Sequence, residues 1–467
     1  MSSTRRRTLV LFVVVAAVYC VSPATQDTDA FLTLPTAWAV VHHATLHLDS
    51  FHTPAITGYY AVARVHGHLV NSFPWPNSLL LIPAVVVFDA GHALGLCPSA
   101  LAVITGNHRT LLDAAQLVSA SLVTAGAAAV LYTVLVGRFA ALEDAAPGTE
   151  SGRARRLATL VTLAFAFGTS AWSTASRAMW EHGPSLLLLA LAVWCADRLD
   201  RARGRPGVNA GCLGVVLAAA YTVRPTNALP VVVLTFWVAW RHRSELAWEL
   251  LGGGAIGAIW IAVNEVTYGA VLPPYNAADR LTLAGSYPEA FAANLFSPSR
   301  GLVVFAPIVI VGGVGFFMGR ARWSRGLDPA LACCIVGHLV VIAALADHWW
   351  AGQSYGPRFT TDLLVYAAVL SVPAVDRLAR AGPRPRARRV ALVACLVALG
   401  WSVFTNGSGA VARSAWCWNL QPDNIDNNPG RVWSWAHPQF LTPVQRLVDS
   451  GSLSQAVIGH CRVPTSE

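Results

Sequence analysis

Three arginines in this chain stand where a polar segment meets an apolar one. Arg224 lies in Thr222-Val-Arg-Pro-Thr-Asn227, Arg300 closes Asn294-Leu-Phe-Ser-Pro-Ser-Arg300, and Arg358 closes Asp347-His-Trp-Trp-Ala-Gly-Gln-Ser-Tyr-Gly-Pro-Arg358. A guanidinium at a helix start beside Gly and Ser suits a phosphate, because its fork of donors and the free backbone N–H groups both favour an anion. The ordinary alternative is an arginine that snorkels to a membrane interface. If Arg224 is buried, it needs a carboxylate or phosphate partner. His348, Gln353 and Tyr355 in the third segment are candidates for binding a substrate, as is Asp279, which follows Pro273-Pro274-Tyr275.

Acidic chemistry is offered near the start, in Gln26-Asp27-Thr28-Asp29. The pattern of Phe31 to Val41 that follows suits an amphipathic helix on a membrane surface. A carboxylate at such an interface is partly desolvated, which makes it a better base. Asp29 or Asp27 could equally cap the helix, since Asp and Thr are favoured there. His42, His43, His47, Asp49 and His52 come next. These are metal-ligating types, but no spacing among them is diagnostic of a metal site.

The elements that must position these residues are membrane helices. Of 467 residues, 55% are hydrophobic and 12% charged, where a soluble domain carries about 25% charged. Apolar runs cover roughly 8–22, 77–96, 112–136, 157–175, 183–197, 208–223, 226–240, 247–268, 301–319, 329–346, 358–375 and 390–405. The net charge of +9 comes with no lysine, all 33 basic residues being arginine. That fits high-GC coding and membrane topology better than nucleic-acid binding. The runs are continuous, unlike the alternating strands of a β-barrel.

Arg5–Arg7 put the N-terminus in the cytoplasm, with 8–22 read as a retained first helix rather than a cleaved signal. Counting all the runs as spans then puts Arg153, Arg155 and Arg156 outside. Treating 77–96 as a surface helix, or as a helical hairpin with 97–106, repairs every later loop. About eleven spans remain. The expected fold is therefore an all-α polytopic membrane protein with a module over 1–405 and an outer tail over 406–467. Outer loops cover 23–111 and 269–300. The tail, with Trp416-Cys-Trp-Asn419, Arg431-Val-Trp-Ser-Trp435 and His437-Pro-Gln-Phe440, suits either sugar binding or an interfacial cap. Of nine cysteines, Cys417 and Cys461 share that oxidisable tail and are expected to pair. Cys97, also expected outside, leaves another pairing open.

In their order along the chain these features resemble the GT-C superfamily of membrane glycosyltransferases. They are most similar to the bacterial relatives of protein O-mannosyltransferases and lipid A aminoarabinose transferases. The resemblance rests on the acidic start of the first outer loop, the stretch His66-Gly-His-Leu-Val-Asn-Ser-Phe-Pro-Trp-Pro-Asn-Ser-Leu-Leu80, Arg224-Pro225, Ser297-Pro-Ser-Arg-Gly301 and Gly352-Gln-Ser-Tyr-Gly-Pro-Arg358. It departs from the family at Pro74-Trp75-Pro76, where relatives have Pro-Pro-Gly. The resemblance implies juxtamembrane helices in the first outer loop and transfer of a sugar from a polyprenyl-phosphate donor to an envelope glycan, lipid or protein. Asp29 would be the catalytic carboxylate, with Asp27 next in line, and Arg358, Arg300 and Arg224 would hold the donor phosphate. No cofactor is obligatory, and a divalent metal stays open. Partners are membrane lipids and the lipid-linked sugar, not nucleic acid. The chief rival is a transporter or flippase of a lipid-linked saccharide, which calls for charges deep in the spans and an internal repeat.

Overall fold

The computed structural model describes residues 3–467 except 27–28, 107, 144–150, 277–286, 322–325, 346–347, 381–384, 460 and 462–467. The chain is mostly helical, with one short β-hairpin, Val62–Val65 and His68–Asn71, among the described residues. Among the described residues, four helices are long and apolar enough to cross a membrane: Arg109–Ala140, Pro206–Val223, Arg243–Tyr268 and Pro385–Val411. A fifth candidate is the pair Arg358–Leu370 and Val372–Ala379, bent by 44°. Of the other expected runs, 8–22 and 183–197 lie largely in the 19-residue helices Ser3–Val21 and His182–Asp200, which are long enough but less apolar, and several others form shorter or broken helices. The run 157–175 ends its regular helix at Phe167 and continues through Gly168 into a wider turn, Ala171–Ala175. Pro307 divides 301–319 into Leu302–Phe305, Pro307–Val309 and Ile310–Met318, because proline lacks the N–H that a continuing helix needs.

Helix Arg109–Ala140 is central, with 72% of its apolar window buried; Arg243–Tyr268 has 11% and Pro385–Val411 17%. Small residues such as Ala125, Ala127 and Ala128 let Ser3–Val21, Gly152–Phe167 and His182–Asp200 close on it. The peripheral helices instead expose Leu251, Ile259 and Val266, and Val390, Leu396 and Val397. Such apolar faces suit lipid rather than water. Glycines seat one peripheral helix: a Cβ on Gly214 would lie 1.9 Å from the Glu249 carbonyl oxygen, and one on Gly252 would lie 2.2 Å from that of Gly211. Without side chains the two backbones approach closely, as in small-residue membrane packing.

The stretch 77–96 folds as Pro76–Leu79 and Ile82–Ala93, with Ala100–Thr105 turned back against the latter. A 12-residue helix rises only about 18 Å, against a hydrocarbon core of about 30 Å. Asp89 holds this hairpin, accepting from the Ala100 N–H at 2.9 Å and meeting His42 at 2.8 Å. Thr33–His43 packs beside it, and Leu34, Trp38, Phe51, Ile56, Leu81, Val85 and Val103 give the first loop a core of its own.

Charged groups collect at the two ends of helix His182–Asp200. Arg138 pairs with Asp197 (2.8 Å) and Asp328 at one end. His182 belongs to a second cluster roughly 22 Å away, at 1.5 Å rise per residue. No charged residue lies between positions 183 and 196.

Candidate active site

The second cluster joins segments far apart in sequence. Asp29 pairs with Arg358, and the Tyr60 hydroxyl donates to the other Asp29 oxygen at 2.5 Å. Asp29 is no helix cap. The helix begins at Thr33 after Leu32, which makes no side-chain cap bond, and the carboxylate faces Arg358 and Tyr60 instead. The Asp29 side chain is 19% exposed and that of Arg358 9%. Burial alone would raise the Asp29 pKa. The Arg358 charge and the two hydrogen bonds outweigh it and hold the carboxyl below its usual range.

Arg358 is oriented from two further directions. Its guanidinium lies over the Trp180 ring at 4.2 Å, and its Nε donates to His182 Nε2 at 2.9 Å. Arg224 Nη1 approaches the same nitrogen at 3.2 Å. A nitrogen that faces two guanidinium donors must carry its lone pair, so His182 is neutral with its proton on Nδ1. Burial, then the two arginines, push the His182 pKa well below its ordinary value. The imidazole is thus a neutral spacer between two cations.

Arg224 is buried, as a partner-dependent arginine must be, and its partners are carboxylates: Asp362 at 2.8 Å and Glu181 at 3.2 Å. Tyr275 hydrogen-bonds Glu181, whose pKa burial raises while Arg224 pulls it down. Phe73, just before Pro74-Trp75-Pro76, packs at 5.2 Å and a 51° tilt against Tyr275. The loop at 23–111 and the segment holding Tyr275 therefore meet over the same cluster. With side chains 1% and 5% exposed, Asp362 and Glu181 neutralise Arg224 from within, so Arg224 supports the site rather than offering a free charge to phosphate.

Arg300 differs from expectation. A guanidinium has five N–H donors, and here they meet the carbonyls of Trp350, Ser299 and Gly352 and the side-chain oxygens of Gln439 and Asn419. At 1% exposure it ties the tail to the loops at 294–301 and 349–358. No donor remains for a donor phosphate. Tyr355 is likewise structural, buried with its hydroxyl on the Thr405 carbonyl at 2.6 Å. Gln353 faces Asp426 at 3.2 Å within the tail contact. His348 is exposed and stacks on Trp350 at 5.7 Å. Asp27 and Asp279 lie outside the described residues.

The tail packs as a cap. Trp418 is buried with Trp349, Trp350, Ile425 and Val432, and Cys417 and Cys461 are disulfide-bonded. An open cleft of about 570 Å³ beside them is lined by Trp418, Asp423, Arg431 and His437, among others.

Sequence reasoning passed over Tyr60, Trp180, Glu181, His182 and Asp362. Trp180-Glu181-His182 carried a legible signal: an acid and a histidine directly before an apolar run that opens Gly183-Pro184. Tyr60 and Asp362 carried none, since their partners are set by tertiary contact. No family model matches the chain, nor does any curated protein or solved structure.

Proposed function

We propose that the chain is a membrane glycosyltransferase that moves a sugar from a polyprenyl-phosphate donor to an envelope glycan, lipid or protein. In this reading it crosses the plasma (inner) membrane about eleven times. The N-terminus is cytoplasmic, and the Asp29 end and the tail lie outside. The observation that carries the reading is the pairing of a carboxylate from the first outer loop with an arginine 329 positions later, at the junction of loop and helical bundle. In the same loop, Leu79, Leu80, Val86 and Val87 are exposed, an apolar surface suited to lipid.

Arg358 is paired with Asp29. A donor phosphate competes for that guanidinium and for the face it shares with Trp180 and His182. Among the carboxylates of the cluster, Asp29 is the more exposed and the one that yields. Once released, its pKa rises toward that of a free, partly desolvated carboxylate, and it takes the proton of the acceptor hydroxyl. The acceptor oxygen then bonds to the anomeric carbon as the bond from that carbon to the phosphate oxygen breaks. The bond electrons leave with the lipid phosphate, and Arg358 stabilises the growing charge. Donor binding thus switches on the base.

Lipid mass spectrometry of the purified protein tests the reading directly. Polyprenyl phosphate or its glycoside is expected to co-purify, and to be lost with Arg358→Ala. A protein that neither retains such a lipid nor transfers from a panel of polyprenyl-phosphate sugars refutes it.

A further inference from the structure

The histidines of the first loop do not act at Asp29, but three side chains at the far end of the β-hairpin converge. We propose that His47, Asp49 and His68 form a binding site for a divalent transition metal ion with zinc-like ligand preference, one that fastens the hairpin to the segment before it.

The backbone prepares this arrangement. His66 and Gly67 both have positive φ, 49° and 88°, as a two-residue hairpin turn of the primed type requires. The turn sets Val65 opposite His68 and fixes where the second strand begins. The segment at 47–49 then runs along that strand. His47 bridges Val70, and the Leu48 N–H donates to the Leu69 carbonyl at 2.7 Å. Asp49 Oδ1 accepts from the Leu69 N–H at 2.8 Å, and Oδ2 meets His68 Nδ1 at 2.6 Å. The two imidazoles stack at 4.2 Å and 10°.

One ligand atom from each residue lies within 4.8 Å of the other two. A tetrahedral zinc with bonds of about 2.0–2.2 Å sets its ligands roughly 3.4 Å apart. The widest pair must therefore close by roughly an ångström, while Asp49 Oδ2 and His68 Nδ1, at 2.6 Å, part by a little less. Exposure of 51% for His68 and 44% for Asp49 leaves them room to turn, while the backbone ladder stays fixed. Two imidazoles and one carboxylate make an N₂O set with a fourth position for water. That set suits zinc or cobalt, whereas magnesium and calcium prefer oxygen alone. A bound ion displaces the proton shared by His68 and Asp49 and replaces a single hydrogen bond with a three-point clasp.

The hairpin strand opens at Val62, two residues after Tyr60, whose hydroxyl reaches Asp29. The clasp would steady that tyrosine. This consequence rests on the proposed role of Asp29; metal binding does not.

Untagged full-length protein in detergent, titrated with Co²⁺ and then Zn²⁺, tests the site without any activity measurement. One equivalent of Co²⁺ should give the visible absorption of a tetrahedral site, and Zn²⁺ should abolish it. His68→Ala and His47→Ala should each weaken binding at least ~10-fold, by analogy with the loss on removing even outer-shell partners. His92→Ala, which leaves the hairpin untouched, should bind as the wild type does. Uptake that is the same in the wild type and in a His47→Ala/His68→Ala double variant would assign the metal to other surface histidines and overturn the proposal. So would the absence of stoichiometric uptake at micromolar metal. Because transfer is not the readout, neither result bears on the glycosyltransferase reading.

Discussion

Asp29→Asn separates a catalytic carboxylate from a structural one, because its effects on lipid binding and on turnover should run in opposite directions. Asparagine keeps the size and an acceptor for Tyr60 but cannot take the hydroxyl proton. Loss of a general base costs about 10²–10⁴-fold in rate, or roughly 2.7–5.4 kcal/mol in barrier height. The variant also leaves Arg358 without its counter-charge. Breaking a fully buried pair costs ~3–5 kcal/mol, but Asp29 is 19% exposed, so a stability loss of about 2–3 kcal/mol is expected. Melting is therefore not silent. Assays belong at a temperature where both forms are folded, checked by size exclusion in detergent. Arg358 no longer has to leave Asp29 to meet phosphate, so affinity for a polyprenyl phosphate should hold or increase. Transfer from a polyprenyl-phosphate sugar should fall by at least ~100-fold. Transfer within tenfold of wild type by folded Asp29→Asn would refute the base assignment. Parallel loss of lipid binding and transfer would mean that Asp29 only builds the place where Arg358 sits.

The ion pair also predicts an acid response. The depressed Asp29 pKa contributes stability that is present above the unfolded carboxylate value of ~3.9 and lost as pH falls through the folded value. Acid unfolding followed by tryptophan fluorescence should show a component below about pH 4 that is missing in Asp29→Asn. Tyr60→Phe removes a hydrogen bond that lowers the Asp29 pKa, so the acid limb of kcat/KM should move to higher pH; an unchanged limb detaches Tyr60 from the base. Reduction of Cys417–Cys461, which spans 44 positions, should lower stability by roughly 4 kcal/mol in the chain-entropy estimate; mass spectrometry showing both thiols free in the isolated protein contradicts the bond. Reporter fusions after residues 204 and 242 should read as cytoplasmic and a fusion after 440 as outside; a cytoplasmic signal at 440 would put the proposed site on the wrong side.

How far the sequence reached is plain from particular residues. Hydropathy is a local property, so the apolar helices could be read from it. Two cysteines in one tail suggested the Cys417–Cys461 pairing, and the fold decides it against Cys97, which is free. Which helices sit at the centre did not follow. Arg109–Ala140 and Pro385–Val411 are equally apolar, at mean hydropathy 1.8 each, yet their windows are 72% and 17% buried. The site divided in the same way. Types and spacing marked Asp29 and Arg358 as able to do chemistry, and their meeting across 329 positions gave them a common place. Arg300 and Arg358 looked alike, each standing near Gly and Ser before an apolar run. Only the fold distinguishes them, because a guanidinium's role is set by the acceptors around it. Arg300 is surrounded by loop carbonyls and tail amides, while Arg358 meets the Asp29 carboxylate, His182 and the Trp180 ring. Glu181 and His182 were visible as polar residues before an apolar helix. Their part as the inner wall of the cluster depends on Arg224 and Tyr275 arriving from other segments, which local sequence does not encode.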